Sequence, residues 1–243
     1  MTTIRMALFA AAATLIAGAA QATTYDAAAD FSSTSSTGIW SYGTGVTGTT
    51  FTPYTNFNPG CAAAGTACWQ TATPIDNVPA VIANLSGATI NFITVVLPTG
   101  VLLVHPGPST DSIVRFTVPV SGDYDVSGFY ELLDTNPTGV NAIIAANGTV
   151  IASFLLTGPG ATHPDTPGES QSFSATDIFL AAGTTLDYGV NNDGNFLNDS
   201  TGLGLTFTTV PEPGAWAMTL IGFAGLGATL RASRRKRGSV PAS

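Results

Sequence analysis

Two cysteines, two histidines and a run of Asp and Asn residues are the side chains of this 243-residue chain whose types and spacing could do chemistry. Cys61 and Cys68 stand in CAAAGTACW with six residues between them. A zinc site needs about four ligands, and His105 and His163 are distant in sequence. A nucleophilic thiol would leave the second cysteine without a role. A disulfide pinning a Gly-Ala loop accounts for both, and its effect is local because the loop is short.

Asp193 and Asp199 in NNDGNFLNDS stand among Asn191, Asn192, Asn195 and Asn198. These are oxygen ligands of the kind a hard cation such as calcium takes, although the spacing is not that of an EF-hand. An Asp-Gly turn followed by an Asn-rich loop explains the same residues, and both readings stay open. Neither GxSxG nor HExxH occurs, and a Ser-His-Asp triad would have to use His105 or His163, each followed by Pro. In VHPGP a turn role is the expectation for His105. Two carboxylates about 5 to 10 Å apart would suit glycoside hydrolysis, but spacing alone selects no pair. GTGVTG, from Gly43 to Gly48, formally fits a dinucleotide fingerprint. No helix start or acidic residue follows at the required distance, so a flexible loop is expected instead.

An exposed aromatic ring offers a flat apolar face to a sugar while polar neighbours take its hydroxyls. Trp40, Tyr42, Tyr54, Phe57 and Trp69 fall in the N-terminal third. Core packing is the default for each. Tyr54 and Trp69, beside Pro, Asn and Cys, are the two expected to be available to a ligand.

These side chains must be positioned by strands. From about Thr24 to Thr209 apolar and polar residues alternate with period two, and no long helical period appears. In SIVRFTVPVSGDYDVSGFY, Val114, Phe116 and Val118 share a face, and after Pro119 and Ser121-Gly122 so do Tyr124, Val126 and Tyr130. Two neighbouring antiparallel strands are expected. Asn147-Gly148 in NAIIAANGTVIASFLL is a strong hairpin signal, because both turn positions favour positive φ. Leu186, Tyr188 and Val190 form one stripe, and Leu203, Leu205 and Phe207 another. Many short strands separated by Gly, Asn and Pro predict an all-β fold, an antiparallel β-sandwich over residues 23–209.

Charge narrows the partners. Charged residues are 9 % of the chain against roughly 25 % in ordinary soluble proteins. Of seven basic residues, one is Arg5, five close the chain as Arg231, Arg234, Arg235, Lys236 and Arg237, and only Arg115 lies between; fourteen of the fifteen Asp and Glu share that middle region. No cationic groove for phosphates can be built there, which excludes nucleic acid and leaves cations or neutral polymers. Arg115 itself is expected to pair with an Asp on a strand surface, or to clamp an acidic sugar.

The ends read as addresses. Residues 1–22 have a basic start, an apolar run and Ala20-Gln21-Ala22, the layout of a signal peptide cut before Thr23. Such export implies an oxidising compartment, which suits the disulfide. Residues 215–230 are almost wholly apolar and are followed by the basic cluster 231–237. At ~1.5 Å per residue the span is about 24 Å, short of the roughly 30 Å hydrocarbon layer by an amount that thinning and flanking residues close. A transmembrane helix with its basic end in the cytoplasm and the acidic domain exported is predicted. Residues 238–243 are expected to be a disordered end.

The stretch VPEPGAWAMTLIGFAGLGATLRASRRKR, over residues 210–237, resembles the PEP-CTERM sorting tail of the PEPxxWA variety: Pro211-Glu212-Pro213, then Trp216-Ala217-Met218, a glycine-bearing span and an Arg-rich end. The resemblance implies processing near the Pro-Glu-Pro motif by an exosortase, after export through the secretion machinery and transient anchoring in the inner membrane. Delivery to the outer surface or the medium follows, often alongside extracellular polysaccharide. FSSTSSTGIWSYG, VHPGPSTDSIVRFTVPVSGDYDVSGFY and LAAGTTLDYGVNNDGNFLNDSTGL look like the β-sandwich domains that precede such tails, and the VPxxGxY element is similar to one in jelly-roll carbohydrate-binding modules. That likeness implies a jelly-roll-like module without catalysis or cofactor, calcium aside. It leaves three functional expectations: weak carbohydrate binding, a purely adhesive or structural surface role, and a polysaccharide-acting enzyme.

Overall fold

The computed structural model describes residues 21–75, 78–211, 223–225, 227, 228 and 231. Residues 22–210 form one compact unit. Its strands, in chain order, are β1 (Thr24–Asp26), β2 (Trp40–Val46), β3 (Thr50–Pro53), β4 (Asn56–Pro59), β5 (Thr66–Ile75), β6 (Val78–Asn84), β7 (Ile90–Phe92) and β8 (Val95–Leu97). There follow β9 (Leu102–His105), β10 (Asp111–Thr117), β11 (Gly122–Leu132), β12 (Val140–Ala146), β13 (Thr149–Leu156), β14 (Ser170–Leu180), β15 (Thr185–Asn191) and β16 (Thr201–Thr209).

Two antiparallel sheets face each other. The larger has the order β14-β11-β16-β9-β6-β5-β4, with β1 continuing the β9 side of β16; the smaller has the order β13-β12-β15-β10-β2-β3. Period-two alternation decides what each strand buries. On β16, Leu203, Leu205 and Phe207 point into the space between the sheets, and Gly202, Gly204 and Thr206 point out. On β15, Leu186, Tyr188 and Val190 enter the same core. Phe116 of the smaller sheet stacks on Phe207 of the larger, with ring centroids 3.9 Å apart and planes 13° from parallel. Such a pair adds about 0.5–1.5 kcal/mol beyond its buried area.

Asn147-Gly148 turns the β12–β13 hairpin with φ of 48° and 79°, as a type I′ turn requires. The expected β10–β11 neighbours are instead in opposite sheets. Residues 118–121 carry the chain across: the Val118 N–H donates to Thr184 O, Pro119 has no N–H to continue a ladder, and the Tyr124 hydroxyl donates back to Val120 O at 2.7 Å. The stripe of Val114 and Phe116 and that of Tyr124 and Val126 therefore meet across the core.

The larger sheet also has an apolar patch on its outer side. Cys68, Ala80, Ile82, Val101, Leu103 and Leu133 form a second cluster with Val95 and Leu97 of the β7–β8 hairpin, and Phe92 packs against it. The hairpin is stitched to the end of β11 by Val96 N–H to Leu133 O and Thr135 N–H to Thr94 O. Cys61 and Cys68 are joined in a disulfide, which ties the loop before β5 beside this cluster.

Among the described residues no helix is long and apolar enough to cross a membrane. Most of the predicted span 215–230 lies outside them, and Phe223–Gly225, Gly227, Ala228 and Arg231 are helical. The signal segment through residue 20, Glu212, Pro213, Trp216, the basic residues Arg234, Arg235, Lys236 and Arg237, and the end 238–243 also lie outside.

Candidate functional site

Tyr54 and Trp69, expected to be open to a ligand, are core residues at 2 % and 7 % exposure. Strand parity turns Trp69 inward, whereas Tyr54, in the connection between β3 and β4, is drawn in by its N–H to Tyr42 O and by its hydroxyl. Trp69 lies on the inward face of β5, its Nε1 donates to Ser32 O at 2.7 Å, and its ring packs on Phe57. The Tyr54 hydroxyl is 2.7 Å from Ser112 Oγ deep between the sheets, and burial raises its pKa. Trp40 and Tyr42 are equally buried. GTGVTG is not a flexible loop: Gly43 and Gly45 belong to β2, and a Cβ on Gly43 would strike the Phe51 ring and Thr52 O.

Arg115 is committed as well. Its Nε donates to Asp187 Oδ1 at 2.6 Å and its Nη2 to Oδ2 at 2.8 Å across the β10–β15 pair, while the guanidinium lies 4.0 Å from the Phe51 ring centre. With its donor fork on a carboxylate and one face on a ring, it is not presented to an acidic sugar. His105 lines a cavity of about 220 Å³ beneath the β7–β8 hairpin, together with Phe92, Val95, Leu103 and Asp134. Its Nδ1–H donates to Pro106 O at 2.9 Å, and burial lowers its pKa. His163 Nδ1 is instead 3.0 Å from Asn91 Oδ1.

Two Asn side chains at the end of β15 tie it to the segment before and into β10. Asn191 Nδ2 donates to Asp111 Oδ1, and Asn192 Nδ2 donates to the carbonyls of Gly107 and Pro108. Asp193 sits in the turn at φ 44°. Asp199 is fully buried and meets Thr138. Burial raises its pKa to about 7, the Thr138 hydrogen bond opposing that shift and the Asp134 and Asp193 carboxylates adding to it. Among the described residues there is no group of three His, Cys, Asp or Glu side chains placed to share a metal ion.

A different surface has the composition a neutral ligand needs. On the outer face of β11, β14 and β16, beyond the hairpin, lies an open groove of about 600 Å³ bordered by Asp26 and Gly100. Phe129 is half-buried there, opposite Ser172 on one neighbouring strand and Gly204 on the other. Its ring lies over Gly204 so closely that any Cβ at that position would collide with it. One step along the pleat, Ser127 stands between Ser174 and Thr206, and its Oγ is 2.9 Å from Thr206 Oγ1. The result is one aromatic ring beside a row of neutral hydroxyls, on three paired strands whose register irregularity, between Tyr124 and Val126, comes before Ser127. Two positions further on, Glu131 packs its stem against Gly202, and desolvation pushes its pKa up to about 7.

Phe129 lies outside the N-terminal third and has no loop signal beside it, so neighbouring polar residues do not mark it. The alternation in VSGFY carried the signal: Val126 and Tyr130 point inward, so Phe129 must point outward.

No protein-family model matches the chain, and no curated protein matches it in sequence. Solved structures give distant likenesses. One is the K3 cleaved adhesin domain of Lys-gingipain from Porphyromonas gingivalis, at 14 % identity, covering 45 % of this chain and 74 % of that one with a TM-score of 0.33. Another is a family 35 carbohydrate binding module from Clostridium thermocellum, at 15 % identity, covering 45 % and 78 % with a TM-score of 0.29. A GH26-CBM35 β-(1,4)-mannanase from Podospora anserina matches at 14 % identity over 79 % of this chain but 28 % of its own, with a TM-score of 0.31.

Proposed function

We propose that this chain is an exported, non-enzymatic β-sandwich that binds a neutral extracellular polysaccharide weakly through the Phe129 groove. The observation that supports this reading is the row of hydroxyls, Ser127, Ser172 and Ser174 exposed and Thr206 half-buried, around a ring seated against Gly204. A pyranose stacks its apolar face on such a ring, and the hydroxyls exchange hydrogen bonds with it without the desolvation cost of a charge. One ring and neutral hydrogen bonds correspond to a Kd of about 1 mM, or ~4 kcal/mol, so useful retention comes from repeated sugar units along a polymer. A glycan array followed by pull-down with the host's own polysaccharide tests the reading. The full chain is retained, Phe129→Ala loses about tenfold in affinity, and absence of binding to every neutral glycan contradicts it.

Export completes the proposal. The basic cluster 231–237 holds the tail in the inner membrane while the acidic sandwich stands outside, and an exosortase acts near Pro211-Glu212-Pro213. The two prolines keep that segment extended and accessible at the membrane boundary. Replacing Pro211 and Pro213 by Ala leaves an uncut, membrane-held chain in host fractionation; release at the normal rate contradicts processing at this motif.

A further inference from the structure

The β15–β16 loop and the loop joining β11 to β12 meet in a knot of oxygens that the groove does not use. Thr138 Oγ1 stands 2.9 Å from Asn195 O, 2.8 Å from Leu197 O and 2.7 Å from Asp199 Oδ1. A threonine hydroxyl has one proton. It serves one of these acceptors, and the others face its oxygen lone pair to lone pair. The second carboxylate oxygen, Asp199 Oδ2, is buried and has no hydrogen-bond partner among the described residues. Buried polar atoms left in that state are rare in folded proteins.

The shortage is of positive charge. Asp134 and Asp193 both add negative potential at Asp199. Asp134 has its own partners, accepting from Thr94 Oγ1 and from the Ser200 N–H. Arg115 is the one Lys or Arg of residues 22–210, and Asp187 holds it. No lysine or arginine of the sandwich can therefore supply a cation here, and burial disfavours the charged form of His105, the histidine near Asp134. We infer that Thr138 Oγ1, the carbonyl oxygens of Asn195 and Leu197 and the Asp199 carboxylate form a calcium site that ties these two loops together.

The ligand set selects the ion. Calcium accepts carbonyl, hydroxyl and carboxylate oxygens in irregular shells and completes them with water, whereas magnesium demands a near-octahedral shell and gives up its water reluctantly. Oxygens set 72–90° apart on a sphere of ~2.4 Å radius stand about 2.8–3.4 Å from one another, and the three distances from Thr138 Oγ1, 2.7–2.9 Å, lie at the short end of that range. The Asn side chains that flagged this loop in the sequence are not the ligands: two of them hold neighbouring loops, and Asn195 contributes its main-chain oxygen. With one carboxylate in direct reach, the affinity falls in the weak range of extracellular sites, a Kd of about 10⁻⁴–10⁻³ M.

Thermal unfolding of the purified full chain in a mild detergent tests the assignment, with about 10 mM calcium against chelator, alongside calorimetric titration with calcium alone. Calcium raises Tm by about 5 °C through preferential binding to the folded state. Asp199→Asn, which keeps the shape and removes the charge, folds in chelator and loses the shift. Thr138→Val loses most of it, and Asp193→Asn keeps at least half. An unchanged wild-type Tm with no calorimetric heat overturns the inference, as does Asp199→Asn retaining the full shift. A magnesium effect equal to that of calcium overturns the choice of ion.

Discussion

Over β6 and β9 the outer side of the larger sheet presents Ile82, Val101 and Leu103, and the β7–β8 hairpin covers them. Over β11, β14 and β16 the same side presents Ser127, Phe129, Ser172, Ser174, Gly204 and Thr206, and an open groove lies above them. The difference lies in outward-facing residue type rather than in backbone. Large aliphatic side chains in a row are stable only if something excludes water from them. Hydroxyls and glycines are indifferent to water, so that half of the face can remain open and still hold a ring in fixed orientation. One half is a core, and the other is an open surface.

Substitutions can break this contrast, and the largest effect belongs to the inward face. Trp69→Ala empties a core position and costs about 3–5 kcal/mol in denaturant unfolding, while a folded fraction keeps its sugar affinity. A cost under ~1 kcal/mol would mean that Trp69 is not packed as described. Next comes the covered half of the outer face: Leu103→Ala costs about 2–4 kcal/mol, which shows the hairpin and sheet to be one packed unit. Removing the disulfide with Cys61→Ser and Cys68→Ser lowers stability by about 2–3 kcal/mol, set by the small loop it closes, and leaves the groove unchanged.

Glu131 lies between the two halves and gives the contrast a pH dependence. Desolvation raises its folded pKa to about 7 from an ordinary value near 4.5. The folded state therefore favours the protonated form. Its contribution is complete below the unfolded pKa and is lost as pH rises through 7. Wild-type stability relative to Glu131→Gln should fall by about 1–2 kcal/mol between pH 4.5 and 8, a figure discounted for partial solvent access. A flat difference across that range would show that the carboxyl is not desolvated. In the open half Phe129 is half-buried with one side against the covered cluster, and Phe129→Ala costs about 1–2 kcal/mol, less than a fully buried aromatic.

The strands were legible in the sequence wherever alternation was clean. The stripes Leu186-Tyr188-Val190 and Leu203-Leu205-Phe207 face inward as their spacing requires, and Asn147-Gly148 turns its hairpin. Which strands pair was not legible. The four residues from Val118 to Ser121 can close a hairpin or cross between sheets, and the crossing is set by the local Tyr124 hydroxyl together with the Thr184 carbonyl, which is remote in sequence. The site was hidden for a related reason. Trp69 has loop-like neighbours but inward parity, Tyr54 lies in a connection yet is held inward by hydrogen bonds to Tyr42 and Ser112, and Phe129 has outward parity in a strand with no loop signal beside it. Thr138 reaches Asp199 over 61 positions, and no local motif announces a hydroxyl brought that far.

The most direct test places Phe129→Ala beside Trp69→Ala in the full chain and measures polysaccharide affinity and Tm on the same samples, below the unfolding temperature of both. A sugar seated in the groove predicts that Phe129→Ala binds about tenfold more weakly with Tm lowered by no more than about 5 °C, and that Trp69→Ala binds as wild type with Tm lowered by about 10 °C. Retained affinity in Phe129→Ala, or loss of affinity in folded Trp69→Ala, would contradict it.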